Sequence, residues 1–376
     1  MSTHPPERAV ARIDLSAIEH NCTHLRSQLT GGAKLCAVVK ANGYGHGDTW
    51  SAKAAVAGGA EWLAVAAASE AVEVRRHGIA EPILIMGALT SADARAALEA
   101  PADVVAWEPA FAEALARTAT ADGVAGRVHV KLDSGMGRLG TKDADQALAT
   151  ARIVADAEHL QLVGLMTHFA TADEPGDDHF PKQLEVFTEF AERFRAEHPD
   201  VVVHAANSAA VFRDPAAHFD MARCGVALYG LDPFQHDAAQ RGLRPALTLE
   251  SYVAAVRRFE PGDSAGYGRR WRAAAPTWVG TIPIGYGDGF RRAFTNNAEV
   301  LIGGRRYPLV GAVSMDNVTV DLGPETDVEP GALATLIGED EGERISAEDL
   351  ARRIDTINYE ITCGLSPRVR RVWSSA

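Results

Sequence analysis

The segment Ala37–Gly47, AVVKANGYGHG, joins an apolar run of strand type to a glycine-rich turn through one lysine, Lys40. A lysine at the end of a buried strand loses hydration, which lowers its pKa, and a Schiff base with an aldehyde requires the neutral amine. The glycines let the backbone approach a phosphate, and Tyr44 adds a hydroxyl donor. An amine beside a phosphate cradle indicates pyridoxal phosphate. The alternative is a solvated lysine before a flexible loop.

Outward from this segment, strand-type runs alternate with helical segments over the first two thirds of the chain. The strand candidates are Leu35–Val39, Trp62–Ala66, Ile83–Met86, Val104–Trp107, Val128–Leu132, Leu160–Met166, Val201–His204 and Asp220–Cys224. The helical candidates are Ser16–Gln28, Ser91–Glu99, Ala110–Ala121, Lys142–Ala157 and Lys182–Glu197. This alternation predicts an α/β fold, a parallel (β/α)8 TIM-like barrel. An open doubly wound sheet is the alternative, weakened because no GxGxxG motif follows the first strand.

After about Pro245 the pattern changes to alternating β runs separated by glycine and proline turns. The strand candidates there are Leu247–Val256, Thr277–Ile284, Ala298–Ile302, Leu309–Asp321 and Leu333–Ile337, with one helix at Ala347–Ile354. The sequence therefore predicts a barrel domain of residues 1–245 and a mainly antiparallel β domain of residues 246–376. The short run Ala9–Ile13 is expected to pair outside the barrel, and the β domain is the candidate partner for the segment of residues 1–13 that contains it.

Composition excludes several classes of function. The chain has 376 residues and a formal net charge of -13, without a long basic patch, so neither nucleic acid nor an anionic membrane is an expected partner. None of the four cysteines are paired at metal-ligand spacing, so no metal site is expected and a reducing compartment is the simpler interpretation. The start of the chain lacks an apolar signal core and no apolar run could cross a bilayer, so we expect a cytoplasmic protein.

Polar residues of interest fall at the ends of the predicted strands. They are Lys40 after the first strand, Arg138 after the fifth, His168 after the sixth, Asn207 and Ser208 after the seventh, and Arg223 at the eighth. The carboxyl ends of barrel strands form one face, which carries the active site in such folds. Residues far apart in sequence are therefore expected to converge on one site.

These segments resemble motifs of the alanine racemase family. So do the segments 263–268 (DSAGYG), 285–289 (GYGDG), 311–316 (GAVSMD) and 357–360 (INYE), and the resemblance runs in order from about Arg12 to Trp373. It implies a pyridoxal-phosphate-dependent isomerase that interconverts L-alanine and D-alanine. It further implies a supply of D-alanine for peptidoglycan and a homodimer in which each β domain closes the partner's barrel.

The resemblance also implies roles around the cofactor. Lys40 would hold it covalently, and Tyr44, Ser208, Tyr359 and the backbone of Gly225 and Val226 would bind its phosphate, beside Asn207. For Ser208 alone, the alternative is a helix N-cap. Arg223 would face the pyridine nitrogen, oriented by His168 and His204; because arginine only donates, the ring would be a weaker electron sink and side reactions would be suppressed.

For the substrate, the resemblance implies that Arg138 and the backbone of Met315 bind the carboxylate. Lys131, inside the fifth strand candidate, matches a lysine that is often carbamylated in the family; the alternative is an ordinary lysine that points away. Tyr286 and Asp316 would support the site, and the pocket entrance would include Asp173, Tyr286 and Arg291.

Racemisation needs a proton removed on one face of the substrate and returned on the other. Lys40 serves one face, and the resemblance implies that Tyr267 serves the other. The pKa of the Tyr267 phenol is intrinsically about 10, so a nearby cation such as Arg138 must lower it. Three alternatives remain: a racemase of serine or basic amino acids, a barrel-type decarboxylase, and a non-enzymatic carrier of the cofactor. Arg223 in place of an acid argues against the decarboxylase, and the second domain argues against the carrier.

Overall fold

The computed structural model describes residues 8–375. Their contacts divide them into two compact units, a barrel unit of Ile18–Phe234 and a β unit of residues 8–17 with 235–375. Residues 1–7, part of the segment predicted to pair with the β domain, lie outside the described residues. Among residues 8–375, no helix combines the length and apolar character needed to cross a bilayer.

The described chain begins with strand β1 (Val10–Asp14), which is followed by helix α1 (Leu15–Gln28). Asp14 ends the strand and starts the helix, because its Oδ1 accepts hydrogen bonds from the backbone N–H groups of Ser16 (2.8 Å) and Ala17 (3.2 Å). Strand β1 pairs with strands of the β unit.

The barrel unit contains eight parallel strands. These are β2 (Lys34–Val38), β3 (Trp62–Val65), β4 (Ile83–Ile85), β5 (Asp103–Ala106), β6 (Gly126–Lys131), β7 (Leu160–Met166), β8 (Val202–His204) and β9 (Met221–Cys224). The helices that connect them are α2 (Asp48–Ala57), α3 (Ala68–Arg76), α4 (Ser91–Glu99), α5 (Pro109–Asp122), α6 (Ala144–Asp156), α7 (His179–Glu197) and α8 (Ser208–Arg213).

The strands follow one another around the barrel, and β9 pairs with β2. Between β8 and β9 the ring is completed by two backbone hydrogen bonds, from Asp220 to Val203 (3.0 Å) and from Arg223 to Ala206 (2.9 Å). The strands are buried almost throughout, as expected where helices cover one face of a parallel sheet and packed side chains fill the other. The predicted TIM-like barrel is confirmed. Lys131, predicted inside the fifth strand of the barrel, is the last residue of β6.

The β unit has eleven further strands. They are β10 (Leu247–Tyr252), β11 (Ala255–Phe259), β12 (Ser264–Ala265), β13 (Trp271–Arg272), β14 (Thr277–Ile282), β15 (Glu299–Ile302), β16 (Arg305–Pro308), β17 (Val318–Gly323), β18 (Leu333–Asp340), β19 (Glu343–Ile345) and β20 (Arg370–Ser374). Two short helices, α9 (Ala347–Arg353) and α10 (Asn358–Cys363), complete it.

The largest sheet has the order β16-β15-β18-β10-β1-β20, with β19 on β18, and the strands β11, β14 and β17 form a second sheet. Strand β1 lies antiparallel to β10 and parallel to β20. Two predicted strands were wrong in extent. The run Leu247–Val256 is divided between β10 and β11, which join different sheets. The run Leu309–Asp321 is a strand only from Val318, because residues 311–317 form a loop.

Candidate active site

Lys40 follows β2 closely and begins a turn of left-handed backbone. The φ angles of the next four residues are 54° at Ala41, 54° at Asn42, 59° at Gly43 and 53° at Tyr44. Left-handed helical backbone costs about 1–2 kcal/mol per L-residue, so consecutive residues of this kind need compensation from their surroundings. Lys40 itself is half-buried. The glycine-rich pattern indicated a tight loop, but nothing in it indicated that Ala41 and Tyr44 would adopt positive φ.

Glu70, at the start of α3, is one source of that compensation. Its Oε1 accepts a hydrogen bond from the backbone N–H of Ala41 (2.7 Å), and its Oε2 accepts from Ala66 (2.8 Å) and Ala67 (3.1 Å). One carboxylate thus ties the residue after Lys40 to the end of the neighbouring strand. Glu70 is not among the residues predicted from the sequence, because its separation from Ala41 leaves no local signal.

Replacement of Ala41 by glycine is expected to raise the free energy of unfolding by about 0.5–1 kcal/mol, because glycine adopts positive φ without steric cost. Urea denaturation measures the change. Ala116→Gly, in the middle of α5, is the matched control and should lower the free energy of unfolding by about the same amount. Equal destabilisation by both substitutions would contradict the left-handed turn.

A cradle of hydroxyl and backbone N–H groups lies beside Tyr44. A Cβ atom at Gly225 would lie only 2.3 Å from Tyr44 Oη, so glycine is required where the two segments meet. Ser208 Oγ accepts hydrogen bonds from the N–H groups of Gly225 (3.0 Å) and Ala227 (3.4 Å), which leaves its own O–H to donate. The hydroxyl groups of Tyr44 and Ser208 are neutral donors that suit a rigidly held phosphate.

Ser208 is not the N-cap of its helix. Asn207 occupies that position, and its Oδ1 accepts from the N–H of Ala210 (3.0 Å), whereas Ser208 is the first helical residue. Val226 begins a 3₁₀ turn, Val226–Tyr229, directly after Gly225. The predicted phosphate-binding residues of the barrel unit are therefore brought together, with Asn207 in the role of a cap.

Arg223 is buried in the barrel and one of its donors is unused. Nη1 donates to His204 Nδ1 (2.9 Å), and Nη2 contacts His168 Nδ1 (3.2 Å) and donates to the carbonyls of Thr167 (2.8 Å) and Ala205 (3.0 Å). Its buried Nε has no hydrogen-bond partner within residues 8–375. Burial lowers the pKa of Arg223 to about 10, so the side chain remains a cation at pH 7. A buried donor without a partner is costly and indicates an acceptor that the bound ligand supplies.

Lys131 shows that positive charge accumulates at this end of the barrel. Burial, together with the charges of Arg223, Arg138 and Lys40, lowers its pKa to about 8, and Asp133 acts in the opposite sense. Two of these four cations, Lys131 and Arg223, are buried, and with so little acidic compensation the four would repel one another. They indicate a ligand that carries several negative charges, such as a phosphate and a carboxylate.

The loop that carries Arg138 is shaped by Asp133. Its carboxylate accepts hydrogen bonds from the backbone N–H groups of Gly135 (3.0 Å), Met136 (2.7 Å) and Gly137 (3.0 Å). Burial raises the pKa of Asp133, but these bonds outweigh burial and the pKa is lowered. Asp133 is not among the predicted site residues, although an aspartate before Ser-Gly-Met-Gly is a recognisable turn pattern.

The two histidines beside Arg223 are neutral. Burial lowers the pKa of His168 and of His204 well below the ordinary value of 6.5, and the nearby Arg223 cation lowers both further. Below pH 6.5 the unfolded chain therefore binds protons that the folded chain does not. Stability is full above pH 6.5 and is lost as the pH falls below it.

The free energy of unfolding of the cofactor-free protein is thus expected to fall by up to about 1.4 kcal/mol per pH unit for each histidine below pH 6.5. Urea denaturation between pH 7.5 and 5.5 measures this slope. His168→Asn should reduce the slope by the contribution of one histidine, that is, by up to about 1.4 kcal/mol per pH unit. A free energy that stays constant over this range would contradict the neutral state of both rings.

In the β unit, Tyr267, Tyr286 and Met315 are exposed at 75%, 42% and 51% of their surfaces. Tyr267 lines an open pocket of about 380 Å³ whose wall includes Ala312 and Ser314. The N–H of Tyr286 donates to the carbonyl of Ser314 (3.0 Å), which fixes the two loop segments side by side.

The remaining predicted residues of the β unit have partners within it. Asp316 accepts from Arg368 Nη2 (2.6 Å), and Arg291 donates to the carbonyl of Glu360 (3.1 Å). Tyr359 is in α10. Asp173, predicted at the pocket entrance, belongs to the barrel unit and is exposed.

The residues of the barrel unit fit pyridoxal phosphate. The unused Nε–H of Arg223 can donate to an unprotonated pyridine nitrogen, and the hydroxyls of Tyr44 and Ser208 can donate to a phosphate. Lys40 supplies the amine at the same end of the barrel, within electrostatic range of Lys131 and His168.

Comparison with known proteins gives matches over nearly the whole chain. The model of the alanine racemase N-terminal domain matches residues 13–233, and that of the alanine racemase C-terminal domain matches residues 246–373. An alanine racemase of Symbiobacterium thermophilum is 42% identical over 364 residues, 96% of each chain. The alanine racemase structure from Streptomyces coelicolor A3(2) superimposes with a TM-score of 0.92 at 37% identity, over 98% of both chains. The alanine racemase structure from Streptomyces lavendulae superimposes with a TM-score of 0.93 at 35% identity, over 99% of this chain and 98% of the other.

Proposed function

From the premise that this chain belongs to the alanine racemase family of pyridoxal-phosphate-dependent isomerases, we propose that it interconverts L-alanine and D-alanine with Lys40 and Tyr267 as two bases. The observation that carries the proposal is the unused Nε–H of the buried Arg223 cation. This donor suits an unprotonated ring nitrogen and so favours racemisation over chemistry that needs a stronger electron sink.

When bound, the cofactor withdraws electrons and so stabilises negative charge at the substrate Cα after its proton has left. The residues of this chain bind and orient it. In the resting protein Lys40 would hold it covalently, and Tyr44, Ser208 and the Gly225–Val226 backbone, together with Tyr359, would bind its phosphate. Arg223 Nε would donate to the ring nitrogen and keep it unprotonated, because a donor-only cation cannot accept a hydrogen bond from a protonated ring nitrogen.

The proton steps require a group on each face of the substrate. We assign the α-proton of D-alanine to the Lys40 amine and that of L-alanine to the Tyr267 phenol, following the family pattern. The carboxylate is bound by the Arg138 guanidinium and the backbone N–H of Met315. Tyr286 and Asp316 support the loops that present these groups.

Lys131 is proposed to carry a carbamate. Its pKa of about 8 leaves part of the amine neutral near pH 7, and a neutral amine reacts with CO2 to give the carbamate with loss of one proton. The product is an anion, so its repulsion with Arg138 becomes attraction.

The proposed enzyme is a homodimer in which Tyr267 serves the partner's Lys40. A phenol that is 75% exposed is a poor base in water, since a base needs a desolvated site that also protects the reaction. The exposed Met315 and Tyr286 side chains, at 51% and 42%, belong to the same proposed surface. Cover by a second copy of the chain would exclude water from all three.

We propose a cytoplasmic enzyme that supplies D-alanine for peptidoglycan. All four cysteines lie within the described residues and form no disulfide there, which supports a reducing compartment.

Chiral chromatography of single amino acids incubated with the purified protein and pyridoxal phosphate tests the function. Alanine should be converted to an equal mixture of enantiomers from either side, faster than serine, lysine or arginine, and Lys40→Ala is the inactive control. Faster conversion of serine or a basic amino acid would instead identify a broad-specificity racemase. Release of CO2 without racemisation would identify a decarboxylase.

A further inference from the structure

A chain of hydrogen bonds runs through the interior of the barrel behind Arg223. Asp103 Oδ2 lies 3.1 Å from His129 Nε2, His129 Nδ1 lies 2.9 Å from His204 Nε2, and His204 Nδ1 lies 2.9 Å from Arg223 Nη1. These four residues are at most 2% exposed, so no bulk water competes for their polar atoms. We call them the relay.

The barrel is built to accommodate the relay. A Cβ atom at Gly164 would lie 2.2 Å from His129 Nδ1, so β7 leaves room for that ring only because the residue is glycine. The Trp62 ring packs edge-on against His129 at 5.5 Å between centroids. At the end of the relay away from Arg223, Arg127 Nε donates to Asp103 Oδ1 (2.6 Å), so the ionised carboxylate is paired with a cation.

The chemistry of the two ends fixes the direction of every hydrogen bond. Arg223 can only donate, so His204 Nδ1 accepts, and the neutral ring carries its proton on Nε2. That proton is donated to His129 Nδ1, which places the proton of His129 on Nε2, where it is donated to Asp103. An ionised aspartate can only accept. Reversal of either ring would place two donors or two acceptors against each other in a buried site.

Charge favours the same arrangement. Burial raises the pKa of Asp103, but the hydrogen bonds from His129 and Arg127 outweigh burial and lower it, so the carboxylate is ionised. Its negative charge is linked to the Arg223 cation through two neutral, polarised rings. This polarisation makes His204 Nδ1 a stronger acceptor for Arg223 Nη1. It thereby holds the guanidinium in the orientation in which Arg223 Nε is the donor without a protein partner.

We propose that Asp103 and His129 are positioning residues that act through His204 to fix both the orientation of Arg223 and the requirement for a donor-only side chain at position 223. The relay therefore determines which type of group faces the ring nitrogen of the cofactor. The inference rests on the proposed function only for that last step, because the protonation of the rings can be measured without cofactor.

The wild-type protein provides the first test. In ¹⁵N spectra of histidine-labelled, full-length protein without cofactor, with signals assigned through His129→Gln and His204→Gln, both rings should be neutral with the proton on Nε2. A proton on Nδ1 of either ring would overturn the proposal, whether or not any variant folds. Failure to racemise alanine would remove the proposed function and leave this result unaffected.

A double-mutant cycle provides the second test. Arg223→Glu places a carboxylate acceptor at each end of the relay, so the His129 ring or the His204 ring must take up an extra proton. Asp103→Asn added to it supplies a donor at the far end, since the asparagine oxygen can still accept from Arg127. In the double variant both rings should be neutral and reversed, with the proton on Nδ1. Its urea midpoint should lie above the value obtained by adding the two single shifts.

Asp93→Asn, at the exposed start of α4, is the matched control and should combine additively with Arg223→Glu. With pyridoxal phosphate and alanine, Asp103→Asn alone should lower kcat about 10- to 100-fold, as loss of an outer orienting partner typically does, with little change in KM. Asp93→Asn should retain full activity. Additive shifts in the Asp103–Arg223 cycle, or full kcat in Asp103→Asn, would overturn the proposal.

Discussion

Lys40→Ala and Tyr267→Phe proteins, unfolded together and refolded as an equal mixture, are expected to regain about a quarter of their active sites. Each variant alone should lose about 10²- to 10⁴-fold or more, because each lacks one of the two proton-transfer groups. With random pairing, half of the dimers are mixed. In each mixed dimer, one site combines an intact Lys40 with an intact Tyr267 from the partner.

The assay is racemisation of L-alanine, with native mass spectrometry to count the mixed dimers. The control mixes Lys40→Ala with the double variant Lys40→Ala/Tyr267→Phe, in which no pairing can restore a site. If the mixture contains mixed dimers and no activity returns, the two groups belong to one chain and the shared site is wrong.

The second large effect is expected from Tyr267→Ala. Racemisation should be lost in both directions, because each direction needs one group to remove the α-proton and the other to return a proton on the opposite face. The loss should appear mainly in kcat, since the residues assigned to the substrate carboxylate, Arg138 and Met315, are unchanged. Tyr252→Ala, in β10 and outside the proposed site, is the control for a general effect of tyrosine removal on the β unit.

The barrel could be predicted from the sequence because its signal is local and repeated. Short apolar runs such as Ile83–Ile85 and Trp62–Val65 are buried strands, and the amphipathic segments between them are helices. No end of an observed barrel strand differs from the predicted end by more than two residues. The polar residues at the strand ends could be selected for the same reason, since barrel topology gathers those ends on one face.

What could not be predicted depends on contacts between distant segments. The left-handed turn after Lys40 contradicts the intrinsic preference of Ala41 and Tyr44, and Glu70 supports it from another strand–helix unit. Nothing local in the sequence links Asp103, the first residue of β5, with His129 inside β6. Only the register of the sheet, which places Val105 beside His129 and Asp103 beside Arg127, brings them into one network.

In the β unit the errors have a similar origin. The apolar run of residues 309–321 has the composition of one long strand, but only its last four residues belong to β17, and Leu309 forms an isolated bridge with Val320. The preceding loop is held by backbone bonds to another loop, including that from Gly287 N–H to the Met315 carbonyl (2.9 Å). Such loop–loop bonds leave no periodic pattern in the sequence.

Exchange of the α-proton with D2O, followed separately for L-alanine and D-alanine in the Tyr267→Ala protein, tests most directly whether two groups work on opposite faces of the substrate. Lys40 remains in this variant, so D-alanine should still exchange its α-proton by ¹H NMR while L-alanine should not. Equal exchange of both enantiomers, or exchange of L-alanine alone, would contradict the assignment of Lys40 and Tyr267.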